Sequence, residues 1–264
     1  MFIIGELING MYQNIARAIK DKDSSAIQKC VKAQVAAGAD ALDVNCGPAS
    51  KEPLADIQWL VRCIEEVTDK VLVLDSSKPA VIEAGLKSAK NKVVINSTTA
   101  DPEKLEVLIP LATQYHAGLI GLAISSGGIP QNKDQRLELA AAIVSACVDN
   151  GFPVEELYLD PIVLPVNVAQ AQMCDILESI KEFKIISKPA PKTIVGLSNV
   201  SQGAPAGSRN LINRTFLVMA LAFGLDAAIL DPTDRQLLDA LISAELLLNK
   251  HIYCDSYLQA YRRK

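Results

Sequence analysis

Eight short hydrophobic segments recur along the chain, and each ends at or beside a polar residue. Between them lie longer stretches in which apolar residues repeat at helical spacing. Apolar strands that alternate with helices are typical of a parallel sheet covered by helices. Eight such units favour a closed (β/α)8 barrel, the TIM barrel, over an open sheet. The predicted strands are Phe2–Glu6, Ala41–Cys46, Val71–Asp75, Val93–Ser97, Gly118–Ile124, Leu157–Asp160, Thr193–Ser198 and Ala227–Asp231.

Two predicted helices begin with recognisable capping residues. Asp101 stands before Pro102, which places a capping carboxylate ahead of a proline at the first helical position. The segment 233–236, Thr-Asp-Arg-Gln, resembles a capping box and precedes a leucine-rich helix that we expect to reach about Asn249. The small-residue stretch Gly203–Ser208 is predicted to be a mobile loop at the mouth of the barrel.

Length and composition agree with this fold and exclude several classes of protein. The chain has 264 residues, half of them hydrophobic, and no linker divides it, so we expect residues 1–264 to form one domain. The net charge of −4 and the scattered Lys and Arg residues argue against a nucleic-acid partner. No apolar run reaches the roughly 18 residues of a membrane span, and no signal peptide is visible, so the expected location is cytoplasmic. The six cysteines lack CxxC spacing and are expected to be free thiols.

The carboxyl ends of the predicted strands carry acidic and amide side chains. In (β/α)8 barrels these ends form the active-site face, so the polar residues should surround one common mouth. A structural role such as helix capping is an equally open interpretation of Glu6, Asp43 and Asp231. The polar residues at the strand ends are Glu6, Asn9, Asp43, Asn45, Asp75, Asn96, Ser125, Ser126, Asp160, Ser198, Asn199 and Asp231.

The shortage of cations at the strand ends narrows the chemistry. A Schiff-base aldolase needs a lysine there, but Lys78 lies beyond the third strand. A phosphate would be repelled by Asp231 at the end of the eighth strand. His116 and His251 lie away from the strand ends and are not expected to be catalytic. Two interpretations of the residues stay open: a divalent-metal site, or a site for a neutral heterocycle whose ring N–H and amino groups donate to Asp and Asn.

In combination, the strand-end segments resemble the pterin-binding methyltransferases, and among them the family of methyltetrahydrofolate:corrinoid/iron–sulfur protein methyltransferases. The resemblance covers essentially the whole chain, although Leu7 stands where the family pattern has an arginine. The matching segments are Gly5–Gly10, Leu42–Pro48, Leu74–Ser76, Ile95–Thr98, Leu159–Pro161, Gly196–Gln202, Leu211–Phe216 and Tyr253–Ser256.

The resemblance implies a pterin-binding barrel that forms a homodimer and binds no metal. Its implied activity is transfer of the N5 methyl of methyltetrahydrofolate to Co(I) of a corrinoid, within the reductive acetyl-CoA pathway. A partner, the corrinoid/iron–sulfur protein, would carry the corrinoid. The implied site residues are Asp75, Asn96 and Asp160 at the pterin edge, Asn199 as the catalytic residue at N5, and Gly196, Ser198, Gln202 and Arg209 as further folate contacts.

The corrinoid is expected on another protein because this chain lacks an Asp-x-His-x-x-Gly motif; the residues around His116 read Gln-Tyr-His-Ala-Gly. Three alternatives remain. A related folate:corrinoid methyltransferase of a demethylation pathway would share nearly the same site. A dihydropteroate synthase would need cations near a diphosphate leaving group. A non-catalytic folate-binding subunit would not need Asn199.

Overall fold

The predicted barrel is confirmed by the computed structural model, which describes residues 1–253. Eight parallel strands close in sequence order, and β8 pairs with β1. The motif at 253–256 and Cys254 therefore fall largely outside the described residues, within which five cysteines are free thiols. The strands are β1 Phe2–Asn9, β2 Ala41–Asn45, β3 Val71–Asp75, β4 Val93–Thr99, β5 Gly118–Leu122, β6 Leu157–Asp160, β7 Lys192–Gly196 and β8 Ala227–Leu230.

Helices follow the strands and form the outer ring. Within residues 1–253 we find no helix with the length and apolar character needed to cross a membrane. The helices are α1 Gln13–Asp21, α2 Ser24–Ala36, α3 Pro53–Glu65, α4 Pro79–Ser88, α5 Pro102–Gln114, α6 Lys133–Asp149, α7 Val166–Ala169, α8 Met173–Phe183, α9 Ala206–Ala222 and α10 Arg235–Leu247. Three short 3-10 turns complete the structure, at Val154–Glu156, Gln170–Gln172 and Leu197–Ser201.

The two-residue period of the strands places polar side chains at the mouth. Successive side chains of a strand point to opposite faces, so residues two apart share a face. A buried apolar cluster that includes Ile4, Val73 and Val94 fills the barrel interior. The residue two positions after each member therefore faces the same interior, closer to the carboxyl end. On five strands that residue is polar: Glu6 after Ile4, Asp43 after Ala41, Asp75 after Val73, Asn96 after Val94 and Asp160 after Tyr158.

The predicted capping box before α10 is half right. Asp234, and not Thr233, is the N-cap, because its carboxylate accepts the backbone N–H of Leu237 at 3.1 Å. Thr233 instead donates its hydroxyl to Asp231 at 2.6 Å. The helix ends at Leu247, before the predicted Asn249.

Asp101 precedes α5 at the N-cap position, as predicted, but its side chain does not cap the helix. Its carboxylate accepts the Thr99 hydroxyl and the Ser126 backbone N–H, both at 2.7 Å. The side chain therefore ties the end of β4 to the loop after β5, a role that sequence spacing could not reveal.

The predicted loop Gly203–Ser208 is helical in its second half, because α9 begins at Ala206. Pro205 stands at the N-cap position and Gly203 adopts φ +77°. Only 203–205 remain as the connection, so the mouth is bounded here by the first turn of a helix and not by a long loop.

We predict that Gly10 cannot be replaced without moving the barrel backbone. A Cβ on Gly10 would lie 2.3 Å from the carbonyl oxygen of Cys46, where the chain leaving β1 touches the end of β2. Gly10→Ala should lower the free energy of unfolding in urea by about 1–3 kcal/mol or more. Gly207→Ala is the matched control, because that glycine lies in open space on α9 and alanine is the better helix former. Equal effects of the two substitutions would contradict the packing argument.

Candidate active site

Two amide–carboxylate pairs fix one half of the mouth, at the ends of β2, β3 and β4. Asn45 donates its side-chain N–H to Asp75 at 2.6 Å, and Asn96 donates to Asp43 at 3.1 Å. Asp75 and Asn96 are also register partners on β3 and β4. The crossed pairs hold both carboxylates in fixed positions facing the barrel interior.

These two carboxyl groups bind protons unusually tightly. Burial raises the pKa of Asp43 well above its usual range, and the neighbouring Asp75 raises it further, against the lowering effect of the Asn96 hydrogen bond. Burial also raises the pKa of Asp75, against the lowering effect of Asn45. A ligand that donates N–H groups to these oxygens would stabilise their charged forms, so this half of the mouth suits a donor-rich ligand.

Asp160 ends β6 on the neighbouring wall and is 9 % exposed. Its carboxylate accepts the backbone N–H of Ile162 at 2.7 Å, and the backbone N–H of Gly196 also stabilises its charge. Ile162 reaches this position with φ +65°, a left-handed conformation that is strained for a β-branched residue. Burial nevertheless dominates and raises the pKa of Asp160 to about 7.

The chain turns sharply after Gly196. β7 ends there, and the 3-10 turn Leu197–Ser201 follows, so Ser198 does not belong to the strand as we predicted for Thr193–Ser198. Asn199 is exposed on this turn, and its side chain folds over Gly196 so closely that a Cβ on the glycine would lie 2.9 Å from the amide nitrogen. Glycine at 196 therefore leaves the space that the Asn199 amide occupies.

A polar cavity of about 290 Å³ opens beside Asn199. Arg209 lies on the first turn of α9 and not in a loop, and its guanidinium donates to the carbonyl of Ala204 at 2.8 Å. This cavity is thus rich in amides and carries one cation, in contrast to the acidic half of the mouth at Asp43 and Asp75. The cavity is lined by Ser198, Asn199, Ser201, Gln202, Arg209, Asn210 and Asn213.

A smaller cavity of about 170 Å³ adjoins it, between β1 and β8. Glu6 lines this cavity and accepts the hydroxyl of Ser198 at 2.9 Å. Burial raises the pKa of Glu6 to about 7, and the nearby Asp231 contributes to the increase while the Ser198 hydrogen bond opposes it. The sequence assigned no role to Glu6 and Asp231; the structure places both in the lining of this cavity, together with Ser198.

The structure brings the predicted residues together in two groups. Asp75 lies beside Asn96, whereas Asp160 and Gly196 lie with Asn199 on the β6–β7 side. Gln202 and Arg209 share the Asn199 cavity. In the part of the chain that the structure describes, no three His, Cys, Asp or Glu side chains are grouped so as to hold a metal ion.

Three residues that line the mouth were not predicted as site residues: Asn45, Asn210 and Asn213. Asn45 could have been assigned from its two-residue spacing to Asp43, which places both on the inner face of β2. Asn213 lies four residues after Arg209 and three after Asn210, so it shares a helix face with each of them.

The fold and its polar mouth define a (β/α)8 barrel with a small-molecule site at the carboxyl ends of its strands. Within this class the chain belongs to the pterin binding enzymes, whose family model matches residues 8–231. It is 29% identical over 265 residues to a methylcorrinoid:tetrahydrofolate methyltransferase of Eubacterium limosum, covering 100% of this chain and 97% of that protein.

Two further similarities cover different ranges. A methionine synthase of Mycobacterium leprae is 27% identical over 241 residues, which are 87% of this chain and 20% of that protein. A dihydropteroate synthase of Yersinia pestis, solved with a sulfonamide drug complex, superposes with a TM-score of 0.72 at 16% identity, over 95% of this chain and 94% of that chain. At that identity the last similarity concerns the fold alone.

We predict that Asp160→Asn stabilises the unliganded protein above neutral pH. The folded pKa of about 7 exceeds the unfolded value near 3.8, so ionisation of Asp160 costs stability as pH rises between these values, and the cost is complete above pH 7. Asn can still accept the Ile162 N–H without that charge.

Thermal unfolding at pH 8 should show Asp160→Asn above wild type by about 2–4 kcal/mol, with the gain shrinking towards pH 4. Asp149→Asn, at the exposed end of α6 away from the mouth, is the control and should show little change at either pH. A destabilised Asp160→Asn at pH 8 would rule out the burial argument.

Proposed function

We propose that this protein transfers a methyl group between N5 of tetrahydrofolate and the cobalt of a corrinoid that another protein carries. The observation that carries the proposal is the division of the mouth. Acceptor side chains stand at the ends of β2, β3, β4 and β6, and the Asn199 amide lies on the turn that follows β7. The full-length similarity to the Eubacterium limosum methyltransferase supports the same activity.

The acidic half suits the pterin ring edge, whose amino group and ring N–H are hydrogen-bond donors. In this proposal Asp75, Asn96 and Asp160 bind that edge. Asp75 and Asn96 lie side by side on β3 and β4, and Asp160 ends β6 at the same end of the barrel. Because these acceptors are buried, each hydrogen bond from a donor of the ring contributes to affinity; a buried donor or acceptor without a partner typically costs about 1–3 kcal/mol.

The reacting half would hold N5. The tertiary amine that carries the methyl group is a poor leaving group. N5 must therefore gain a proton or a strong hydrogen bond as the methyl leaves. Asn199 can donate a hydrogen bond to N5 but cannot protonate it, and we assign it stabilisation of the charge that develops there. Preorganised polar groups of this kind contribute about 3–4 kcal/mol each. Ser198 would contact the folate beside Asn199, and Gln202 and Arg209 would bind its remainder in the adjoining cavity.

In this proposal the corrinoid is a substrate delivered by a partner, which agrees with the name of the Eubacterium limosum relative. We propose a corrinoid/iron–sulfur protein of the reductive acetyl-CoA pathway as that partner, with the chain acting as a homodimer. A corrinoid protein of a demethylation pathway is the second candidate, and the name of the Eubacterium limosum relative, with methylcorrinoid given first, favours it. The same site serves transfer in either direction.

Mixing the protein with methyltetrahydrofolate and reduced Co(I) cobalamin should produce methylcobalamin, followed by absorbance. Asn199→Ala should transfer the methyl at least about tenfold more slowly at saturating folate, a loss of about 1.4 kcal/mol in the transition state. An unchanged rate in this variant would remove Asn199 from the mechanism. Wild-type protein that binds folate without any turnover would instead identify a folate-binding subunit.

Asp75→Ala should weaken methyltetrahydrofolate binding in titration calorimetry by about 1–3 kcal/mol, since the ring donors then lose their acceptor. Asp149→Ala removes an exposed aspartate remote from the mouth and should bind normally. Normal affinity in Asp75→Ala would contradict the pterin-edge assignment.

A further inference from the structure

Glu6 is joined to the Asn199 side of the mouth by a hydroxyl group. Its carboxylate accepts the Ser198 hydroxyl at 2.9 Å, and Ser198 immediately precedes Asn199 on the 3-10 turn. Glu6 comes from β1 and Ser198 from the turn after β7, so this bond brings two distant parts of the chain together. The contact connects the Glu6 carboxyl, through a single hydroxyl, to the residue that precedes Asn199.

The two cavities of the reacting half have a common wall. Ser198, Asn210 and Asn213 line both the cavity beside Asn199 and the cavity beside Glu6. The side-chain oxygen of Asn213 is buried and accepts no hydrogen bond within residues 1–253. A buried acceptor without a partner is costly, so this wall is suited to a donor group from a ligand or an ordered water. The wall that the two cavities share is therefore polar.

The ionisable side chains around Glu6 are carboxyl groups and one tyrosine. Asp231 and Asp234 line the same cavity from the β8 side, Asp43 faces Glu6 from β2, and Tyr12 lies near it after β1. No Lys, Arg or His lines this cavity within the described residues. Burial and Asp231 raise the pKa of Glu6 to about 7, so the carboxyl exchanges its proton at neutral pH.

We propose that Glu6 stores the proton exchanged at N5 and passes it through the Ser198 hydroxyl, a role that rests on the proposed methyl transfer. As the N5–methyl bond breaks, its electron pair stays on N5 and takes up a proton from Ser198. Ser198 is reprotonated by the Glu6 carboxylic acid, which becomes a carboxylate. The two electrons of the new cobalt–methyl bond come from Co(I). In the reverse direction Glu6 recovers the proton from N5–H.

Asp160 is the other carboxyl group with a pKa of about 7, but its surroundings suit a different task. Its carboxylate is held by the backbone N–H groups of Ile162 and Gly196, which favour the charged form as a fixed acceptor. Glu6, in contrast, accepts from a rotatable hydroxyl that can reverse its hydrogen bond once the acid is protonated. Ser198 thus acts as a relay, and Glu6 as a positioning and proton-storing residue behind it.

The test is the pH dependence of single-turnover methyl transfer from methyltetrahydrofolate to Co(I) cobalamin at saturating folate. In wild type the rate should fall as pH rises through about 7, where Glu6 loses its proton. Glu6→Gln should react at least about tenfold more slowly at pH 6, with no fall through that range and with unchanged folate affinity in calorimetry. Asp231→Asn should move the fall to lower pH, because it removes the neighbouring charge that favours the protonated acid.

Two Ser198 variants provide a second test that does not depend on how Glu6→Gln folds. Ser198→Thr keeps a hydroxyl and should retain the wild-type pH dependence, whereas Ser198→Ala should lose it. If wild type turns over but Glu6→Gln and Ser198→Ala keep its rate and pH profile, the proton role is wrong and the methyl-transfer proposal survives. If wild type itself binds folate without turnover, the methyl-transfer proposal fails first.

Discussion

The two-residue alternation of a closed parallel barrel is the constraint on which the site depends. On several strands an inward apolar residue is followed, two positions nearer the mouth, by an inward polar residue, as Ile4 is followed by Glu6 and Val73 by Asp75. These polar residues cannot shift along their strands, because pairing with the strands on both sides fixes the register. The mouth therefore receives carboxylates over an apolar layer, where few polar atoms stabilise charge.

That arrangement explains why the carboxyl groups are costly to the fold and useful to a ligand. Asp43, Asp75 and Asp160 all have raised pKa values with burial as the first cause. Ionised groups held in this way make the free protein less stable than neutral amides would. A ligand that donates N–H groups stabilises their charged forms, so binding offsets part of the free energy that folding lost at these positions.

Sequence reasoning identified the parts of the site that depend on local periodicity. The strand ends at Asp75, Asn96 and Asp160 were predictable, because an apolar run that ends in a polar residue needs no knowledge of its neighbours. Interactions between distant elements were not predictable. The Asn45–Asp75 and Ser198–Glu6 bonds join residues 30 and 192 positions apart. The first depends on the pairing of β2 with β3, and the second on closure of the barrel between β8 and β1.

Segments of small residues were the second source of error. Gly203–Ser208 contains residues common in loops, yet its second half starts α9, where Pro205 and the packing of Phe216 and Leu217 set the helix. The same difficulty affected the strand end at Ser198, because a 3-10 turn and a strand have similar composition over so few residues. Local composition could not decide either case, since the deciding contacts lie elsewhere in the chain.

The two halves of the mouth also differ in how firmly they are held, and this bears on the order of events. The acidic half is fixed by side-chain pairs between strands, whereas Asn199 stands exposed on a turn and Arg209 on the first turn of a helix. A flat ring held by the fixed half would present its reacting atom towards the exposed half. In the proposed reaction the corrinoid would have to reach that exposed side, so recognition of the folate by the strands should precede docking of the partner.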